Sequence, residues 1–304
     1  MSAQPPIQFG ISLDPTATKI NDLFRLAKVA DEAGFELLTI QDHAYNPNFL
    51  ETWTLLSGLA MTTENIRVGT NVLTTPLRLP AMIAKQAATL HVMTNGRVEL
   101  GLGAGAFQGG IEAFGGEFGT PGERHQAFEE TIKIIKGLWQ SQGQPFSFEG
   151  KAHQIRNAQF GPVLDSYPRL WTGSQGPRGL RLTGRETDGV ILSMTYVPPD
   201  DLHEVNRLLD EGAAEAGRDP SEVRRAYNLA GALTEARMIP KRQGLIIGGV
   251  QEWVDWLVRL YRDYRQDTFI FWPVGGSEAT QFQQFASEVI PAVREALGQS
   301  AATK

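Results

Sequence analysis

An acidic residue and a histidine stand side by side directly after a run of apolar residues. The stretch TIQDHAYNP covers residues 39–47 and contains Asp42 and His43. Histidine titrates near neutral pH and can donate or accept a proton, so His43 is a candidate general acid or base. Asp42 could fix the tautomer of that imidazole, or it could simply cap a turn. The ordinary alternative for His43 is a loop histidine that bonds a backbone carbonyl.

A metal site is the other chemistry that these residue types allow. Zinc is usually held by several histidine, cysteine or carboxylate ligands at short spacing. No second histidine lies two or four positions after His43, and the chain has no cysteine. The remaining histidines fall in predicted helices or in a predicted insertion: His91, His125, His153 and His203. The sequence therefore predicts no metal site, no disulfide and no thiolate catalysis.

Two glycine-rich stretches are the second feature that could do chemistry. LGLGAG spans residues 100–105 and TGSQGP spans residues 172–177, and both could let the backbone approach a ligand closely. The second stretch runs directly from a predicted strand into a predicted helix. The free N–H groups at the start of that helix favour a phosphate, although a plain strand-to-helix turn could carry the same residues.

Short apolar runs alternate with segments of helical periodicity along the whole chain. The predicted strands are 7–13, 36–40, 66–73, 97–103, 168–173, 188–192, 224–233 and 267–273. The predicted helices are 20–35, 49–63, 81–94, 124–140, 176–187, 198–217, 250–264 and 278–297. Eight such units in 304 residues favour an α/β fold, a closed (β/α)8 TIM barrel, over an open sheet. Residues 145–160 alternate like a short β-hairpin inserted between unit four and strand five.

A barrel of this kind would bring the motifs together, because active sites of TIM barrels lie at the C-terminal ends of the strands. QDHAY follows the second predicted strand, and TNVLTT, GAGAFQGG and TGSQGP follow the next three. This placement favours a functional role for His43 over the ordinary alternative. With no linker rich in Pro, Gly or Ser, we expect residues 1–304 to form a single domain.

Composition excludes several classes of protein. With 41% hydrophobic and 20% charged residues, the chain is typical of a soluble globular protein. A net charge of −6 and the absence of a Lys/Arg cluster argue against nucleic acid as a partner. The sequence shows neither a signal peptide nor a membrane span, so the predicted location is the cytoplasm.

Together these segments resemble the luciferase-like flavin oxidoreductase superfamily over nearly the whole chain. The resemblance rests on AGFELLTIQDH, IRVGTNVLTTPLRLPAMIAKQAATLHVMTNGRVELGLGAG, ERHQAFEETIKIIKGLW with FSFEGKAHQI, and RLWTGSQGPRGLRLTGRETDGVIL. It implies a (β/α)8 barrel with an insertion after unit four, and FMN or the deazaflavin coenzyme F-420 as cofactor. The chain is most similar to the deazaflavin branch, which includes sugar-phosphate dehydrogenases and methylene-tetrahydromethanopterin reductases. It departs from the sugar-phosphate dehydrogenases at Ala106, where they have a glutamate.

The resemblance also implies roles for individual residues. His43 would exchange a proton or a hydrogen bond at the reacting oxygen, and Asp42 would orient its loop. Asn71 and Val72 would be joined by a cis peptide and would support the ring. The other expected cofactor contacts are Thr70 and Ala104 at the ring edge, then Gly173, Ser174 and Gly176 through backbone N–H groups, and Arg178 as a charged partner of the phosphate. The residues that could wall a substrate pocket, or simply pack in the core, are Tyr45, Phe49, Phe107 and Trp272.

Three functions follow from this interpretation. The first is an oxidoreductase that transfers a hydride between coenzyme F-420 and a small organic substrate. The second is an FMN-dependent two-component monooxygenase served by a separate flavin reductase. The third is a flavin-binding protein without catalysis. The resemblance also suggests a homodimer, with an interface on the apolar helices FLETWTLLSGLAM and AMIAKQAATLHVM.

Overall fold

A computed structural model of the chain describes residues 4–235 and 244–299. In chain order the strands are β1 (Gln8–Leu13), β2 (Leu37–Ile40), β3 (Arg67–Thr70), β4 (Leu73–Thr74), β5 (Val98–Gly103), β6 (Phe146–Glu149), β7 (Gln154–Ala158), β8 (Arg169–Thr172), β9 (Gly189–Ser193), β10 (Arg224–Leu233), β11 (Leu245–Gly248) and β12 (Thr268–Pro273). Eight of these strands pair in parallel in the order β1-β2-β3-β5-β8-β9-β10-β12, and β12 pairs with β1. The sheet is therefore closed, and the predicted (β/α)8 barrel is confirmed.

Helices cover the outside of the barrel. They are α1 (Ile20–Glu32), α2 (Thr52–Ala60), α3 (Pro80–Met93), α4 (Gln108–Ala113), α5 (Pro121–Gln140), α6 (Pro177–Glu186), α7 (Leu202–Glu215), α8 (Val250–Tyr264), α9 (Glu278–Gln284) and α10 (Ile290–Leu297). Most bounds lie within a few residues of the predicted ones, because each helix turns one apolar face to the strands. A π-helical turn, Phe285–Val289, divides the last predicted helix into α9 and α10.

The third predicted strand is interrupted. It was expected to span residues 66–73, but β3 ends at Thr70 and the chain resumes as β4 after a cis peptide between Asn71 and Val72. Two further elements, α4 and β11, were not predicted. β11 pairs in parallel with the second half of β10, whose first half pairs with β9. The long β10 thus takes part in the barrel and extends beyond it.

The predicted insertion is present as the antiparallel pair β6 and β7. Its turn is fastened to the barrel by Glu130 of α5, whose carboxylate is buried. That carboxylate accepts the backbone N–H groups of three successive turn residues, Lys151, Ala152 and His153, at 2.8–2.9 Å. The hairpin therefore stays close to α5 and does not form a separate unit.

A buried acid joins three strands at the end of the barrel where the strands begin. Glu99 on β5 accepts the indole N–H of Trp171 at 2.7 Å and forms ion pairs with Arg67 and Arg169. Because these partners come from β3 and β8, the contact fixes the order of neighbouring strands at this end. The opposite end, where the strands finish, carries the polar and glycine-rich segments.

Candidate active site

An open cavity of about 950 Å³ lies at the C-terminal ends of the strands. Binding sites for small molecules commonly have volumes of about 300–1,000 Å³. Eight of the ten residues predicted for the site line this cavity: Asp42, His43, Asn71, Val72, Ala104, Gly173, Ser174 and Gly176. The rule that sites of TIM barrels lie at the strand ends therefore located the cavity correctly.

The floor of the cavity is built around Val72. The peptide before it is cis, as predicted. A Cβ added at Gly103 or Gly173 would lie 2.8 Å from Cγ2 of Val72, and one at Gly101 would lie 3.0 Å from its Cγ1. These three glycines therefore make room for the valine side chain, whereas the sequence suggested that they make room for a ligand.

Two residues that were predicted to contact the cofactor, Gly173 and Thr70, form hydrogen bonds within the protein instead. The backbone N–H of Gly173 donates to the carbonyl of Leu102 at 2.9 Å, so it is not free for a phosphate. Thr70 is buried and does not line the cavity. Its hydroxyl donates to the carbonyl of Gly101 at 2.7 Å and lies at 3.0 Å from the N–H of the same residue. Neither of these two polar groups is therefore free to bond a cofactor.

A network of amides crosses the barrel beside this floor. The side chain of Asn71 donates to Oδ1 of Asn228 at 2.7 Å and to the hydroxyl of Thr39 at 3.2 Å. In return, Asn228 donates to Asn71 and to the hydroxyl of Ser193. Asn228 and Ser193 line the cavity, and no motif in the sequence pointed to them. Buried polar groups that satisfy one another hold a rigid arrangement.

Asp42 points into the protein. Its side chain has no exposure to solvent and accepts the backbone N–H of Thr74 at 2.7 Å. Both terminal nitrogens of Arg78 bond to the same carboxylate, at 2.7 and 3.1 Å, and Arg78 also pairs with Glu51. The carboxylate thus ties the loop after β2 to the segment after β4. This geometry supports the expectation that Asp42 orients its loop and gives it no contact with the imidazole of His43.

His43 points the other way, into the cavity, and is exposed. Its Nδ1 lies 2.8 Å from the hydroxyl of Tyr45. The ring of Phe49 lies 6.4 Å from the imidazole, and Phe107 packs edge-on against Tyr45 at 5.1 Å. Tyr45 and Trp272 line the cavity, whereas Phe49 and Phe107 stand behind them. The four aromatic residues predicted from the sequence therefore lie on one side of the site or next to it.

One acid near His43 was missed. Asp14 directly follows β1 and accepts a short hydrogen bond from the side chain of Gln41, which lines the cavity. Burial raises the pKa of Asp14, while hydrogen bonds from Gln41 and Trp272 and the charges of Lys19 and His43 oppose that rise. The rule that site residues directly follow the barrel strands selected QDHAY after β2. It would also have selected Asp14, which directly follows β1.

The far end of the cavity suits an anion. The first turn of α6 has no side-chain cap, and Gly176 and Gly179 of this turn line the cavity. Arg124 of α5 also lines it, and its guanidinium lies 4.1 Å from the ring centre of Phe118. In the part of the chain that the structure describes, the buried Nε of Arg124 has no hydrogen-bond partner. Free N–H groups at a helix start together with a cation form an anion site.

The predicted charged partner, Arg178, is exposed and does not line the cavity. Arg178 was selected because it follows the glycines in sequence, but its position in the first turn of α6 turns it away. Arg124 reaches the cavity from another helix, α5. A capping box between Thr120 and Glu123 fixes the start of α5 and hence the position of Arg124. Only the tertiary approach of α5 to the cavity reveals this residue.

The sequence profile described as "Luciferase-like monooxygenase" matches residues 6–237. The chain belongs to this family. It is 38% identical over 176 residues to a phthiodiolone/phenolphthiodiolone dimycocerosates ketoreductase of Mycobacterium tuberculosis. The aligned region covers 57% of this chain and 45% of that protein. It is 32% identical over 227 residues to an F-420-dependent glucose-6-phosphate dehydrogenase of Microbacterium testaceum. That alignment covers 72% of this chain and 66% of the dehydrogenase. The chain thus spans about half the length of the first of these relatives.

Solved structures of the family share the fold. An F-420-dependent secondary alcohol dehydrogenase in complex with an F-420–acetone adduct superposes with a TM-score of 0.85 at 21% identity, covering 95% of this chain and all of that one. A long-chain alkane monooxygenase superposes with a TM-score of 0.81 at 12% identity, covering 99% and 94% of the two chains. At these identities the likeness shows the barrel and leaves the chemistry open.

The described residues offer neither a metal site nor a helix that could cross a membrane. Within residues 4–235 and 244–299, no group of three or more acidic or histidine side chains is placed to hold a metal ion. Over the same residues, no helix has the length and apolar character needed to cross a membrane.

Replacing Asp42 with Asn should destabilise the protein. The change removes the buried carboxylate that pairs with Arg78 and leaves Arg78 only its ion pair with the more exposed Glu51, and breaking a buried ion pair typically costs about 3–5 kcal/mol. Chemical denaturation followed by fluorescence measures the loss. Asp22→Asn is the control, because Asp22 forms an exposed ion pair with Arg25 and should change stability by less than about 1 kcal/mol. Equal stability of the two variants would show that Asp42 does not hold the loop.

Proposed function

We propose that this chain is an oxidoreductase that transfers a hydride between coenzyme F-420 and a small organic substrate. The observation that carries the proposal is the position of His43, which faces a cavity that is also lined by the apolar Val72, by the first turn of α6 and by Arg124. The similarity to an F-420-dependent dehydrogenase supports the choice of cofactor. Similar proteins include a ketoreductase and a secondary alcohol dehydrogenase, which suggests a carbonyl or an alcohol as the reacting group.

The residues present fit such a cofactor. Val72, Ala104 and Ile191 line the cavity beside the amide network and would support a planar ring. The uncapped first turn of α6 and the guanidinium of Arg124 would hold the phosphate of its tail. When bound, the reduced deazaflavin would supply the hydride. The protein would supply position, orientation and proton exchange.

His43 would act at the oxygen of the substrate. Its Nε2 makes no hydrogen bond to any residue that the structure describes, and the ring stands at the open side of the cavity. The aromatic residues Tyr45 and Trp272, which line the cavity, would keep water away from the reacting atoms and would favour an uncharged substrate. Ala106 lines the cavity where sugar-phosphate dehydrogenases have a glutamate, so this wall offers no carboxylate.

An FMN-dependent monooxygenase is the second candidate function. Monooxygenases are among the solved structures with this fold, and FMN would use the same floor and the same anion site. This reaction would need a separate flavin reductase and would consume oxygen, whereas deazaflavin reacts poorly with oxygen. Tight flavin binding without oxygen uptake or turnover would support the third interpretation, a non-catalytic binding protein.

Equilibrium titration should show tighter binding of coenzyme F-420 than of FMN. Arg124→Gln should weaken that binding by about tenfold or more, because hydrogen bonds to charged groups contribute about 1.5–3 kcal/mol. Arg178→Gln is the matched control and should leave affinity unchanged, since Arg178 lies outside the cavity. Micromolar binding of FMN with no detectable binding of coenzyme F-420 would contradict the assignment.

His43→Ala should reduce turnover about a hundredfold to ten-thousandfold, the usual range for a positioned general acid or base. The affinity for the cofactor and the melting temperature should hardly change, because His43 is exposed and its ring bonds only Tyr45 among the described residues. Steady-state kinetics and thermal melting measure both effects. His43→Gln distinguishes proton transfer from hydrogen bonding, since it recovers activity only in the second case. An alanine variant with wild-type turnover would remove His43 from the mechanism.

We also propose a homodimer. Large apolar residues are exposed on the helices named from the sequence or at their ends: Met61, Leu79, Met82, Val92 and Met93. Light scattering should give twice the monomer mass, and the double variant Leu79→Glu, Met82→Glu should give a monomer. Val163→Glu alters an equally exposed apolar residue elsewhere and should leave the dimer intact. A wild-type monomer at micromolar concentration would refute the proposal.

The remaining expectations stay predictions. They are that residues 1–304 form a single domain, that the protein is cytoplasmic, and that its partners are small molecules with no nucleic acid or membrane.

A further inference from the structure

We propose that Tyr45 is a positioning residue that holds His43 in the tautomer with its proton on Nε2. The phenol would donate to Nδ1 and leave an N–H donor facing the cavity. The hydrogen bond between Tyr45 and His43 follows from the geometry of the two side chains. Its role in turnover rests on the proposed function.

The two side chains are arranged for this contact. The Tyr45 hydroxyl lies 2.8 Å from Nδ1 of His43, and the ring centres are 5.6 Å apart. Tyr45 is held in turn by Phe107, which packs edge-on against it. Gly110 of α4 packs closely against both rings, because a Cβ there would lie 2.6 Å from Cδ1 of Phe107 and would also clash with the Tyr45 ring. Contacts with Phe107 and Gly110 hold the Tyr45 ring where its hydroxyl reaches the imidazole.

The surroundings leave the proton of the Tyr45 phenol available to His43. Burial and the negative charge of Asp42 raise the pKa of Tyr45, so the phenol keeps its proton. Asp42 cannot take that proton in a hydrogen bond of its own, since its carboxylate is held by Thr74 and Arg78. Among the residues described, Nδ1 of His43 is the hydrogen-bond partner found for the phenol. A phenol that donates to Nδ1 places the proton of neutral imidazole on Nε2.

This tautomer selects for a type of substrate. A neutral imidazole with its proton on Nε2 presents a donor to the cavity, and the complementary atom is an acceptor such as a carbonyl oxygen. Asp42 is the one carboxylate among the described residues that line the cavity, and Arg78 neutralises it. Asp14 lies behind Gln41, outside the lining. The Nε2–H of His43 would therefore donate a hydrogen bond to the oxygen of a substrate that binds with an uncharged carbonyl beside it.

Nitrogen NMR of the 15N-histidine-labelled protein, without cofactor, tests the tautomer. At a pH where His43 is neutral, its Nδ1 should resonate as an unprotonated nitrogen and its Nε2 as a protonated one. His43→Ala assigns the signals by their loss. In Tyr45→Phe, the two nitrogens should move toward averaged positions, because the fixed tautomer is lost. A wild-type spectrum with the proton on Nδ1, or a Tyr45→Phe spectrum unchanged from wild type, would overturn the proposal.

Carbonyl reduction with reduced coenzyme F-420 gives the second readout. Tyr45→Phe should lower kcat by up to about tenfold, the usual effect of losing one neutral hydrogen bond, while cofactor affinity stays constant. Tyr167→Phe is the control, since Tyr167 packs on Trp139 away from the cavity. An unchanged kcat in Tyr45→Phe would refute the role in turnover. If the wild type reduces no carbonyl, the proposed function fails and the NMR result alone decides the tautomer.

Discussion

The buried charge of Asp42 is the constraint on which the site depends. A carboxylate with no exposure to solvent is stable in a protein only when it is paired and hydrogen-bonded. Arg78 and the backbone of Thr74 satisfy it, and both come from the segment that follows the cis peptide. Because Asp42 must face inward to reach them, the next residue, His43, faces outward into the cavity. The carboxylate of Asp42 therefore holds the loop that carries His43 and makes no contact with the imidazole.

The segment that pairs with Asp42 also forms the floor of the cavity. Val72 fills the space left by Gly101 and Gly103 of β5 and by Gly173, which directly follows β8. The amide pair of Asn71 and Asn228 ties this floor across the barrel. The short segment that follows the cis peptide thus binds the buried carboxylate of the loop after β2 and also forms the apolar floor of the cavity. The position of His43 relative to that surface is set by the same contacts.

The sequence predicted the fold well because a barrel needs little more than alternating strand and helix patterns of suitable length. β11 was missed because LIIG is short, follows β10 after a gap and pairs only with the second half of that strand. The interruption of β3 by the cis peptide has no hydrophobic pattern, and only the family resemblance suggested it. Periodicity predicts which face of an element is buried, but it does not predict where backbone hydrogen bonding stops.

The site was predicted only where its residues follow the strands directly. His43, Asn71 and Val72 obey that rule, and so does Asp14, which was overlooked. Arg124 could not be found in this way, because it reaches the cavity from the first turn of α5. Sequence adjacency favoured Arg178, yet three-dimensional position favours Arg124. Tyr45 was named as a wall residue, and its bond to His43 became visible only with the side chains in place.

A crystal structure of the protein with bound coenzyme F-420 would test the account most directly. The account predicts that the deazaflavin ring lies on Val72, that its reactive edge faces His43, and that its phosphate contacts the first turn of α6 and Arg124. A ring bound away from Val72, or a phosphate held at Arg178 with Arg124 uninvolved, would contradict it.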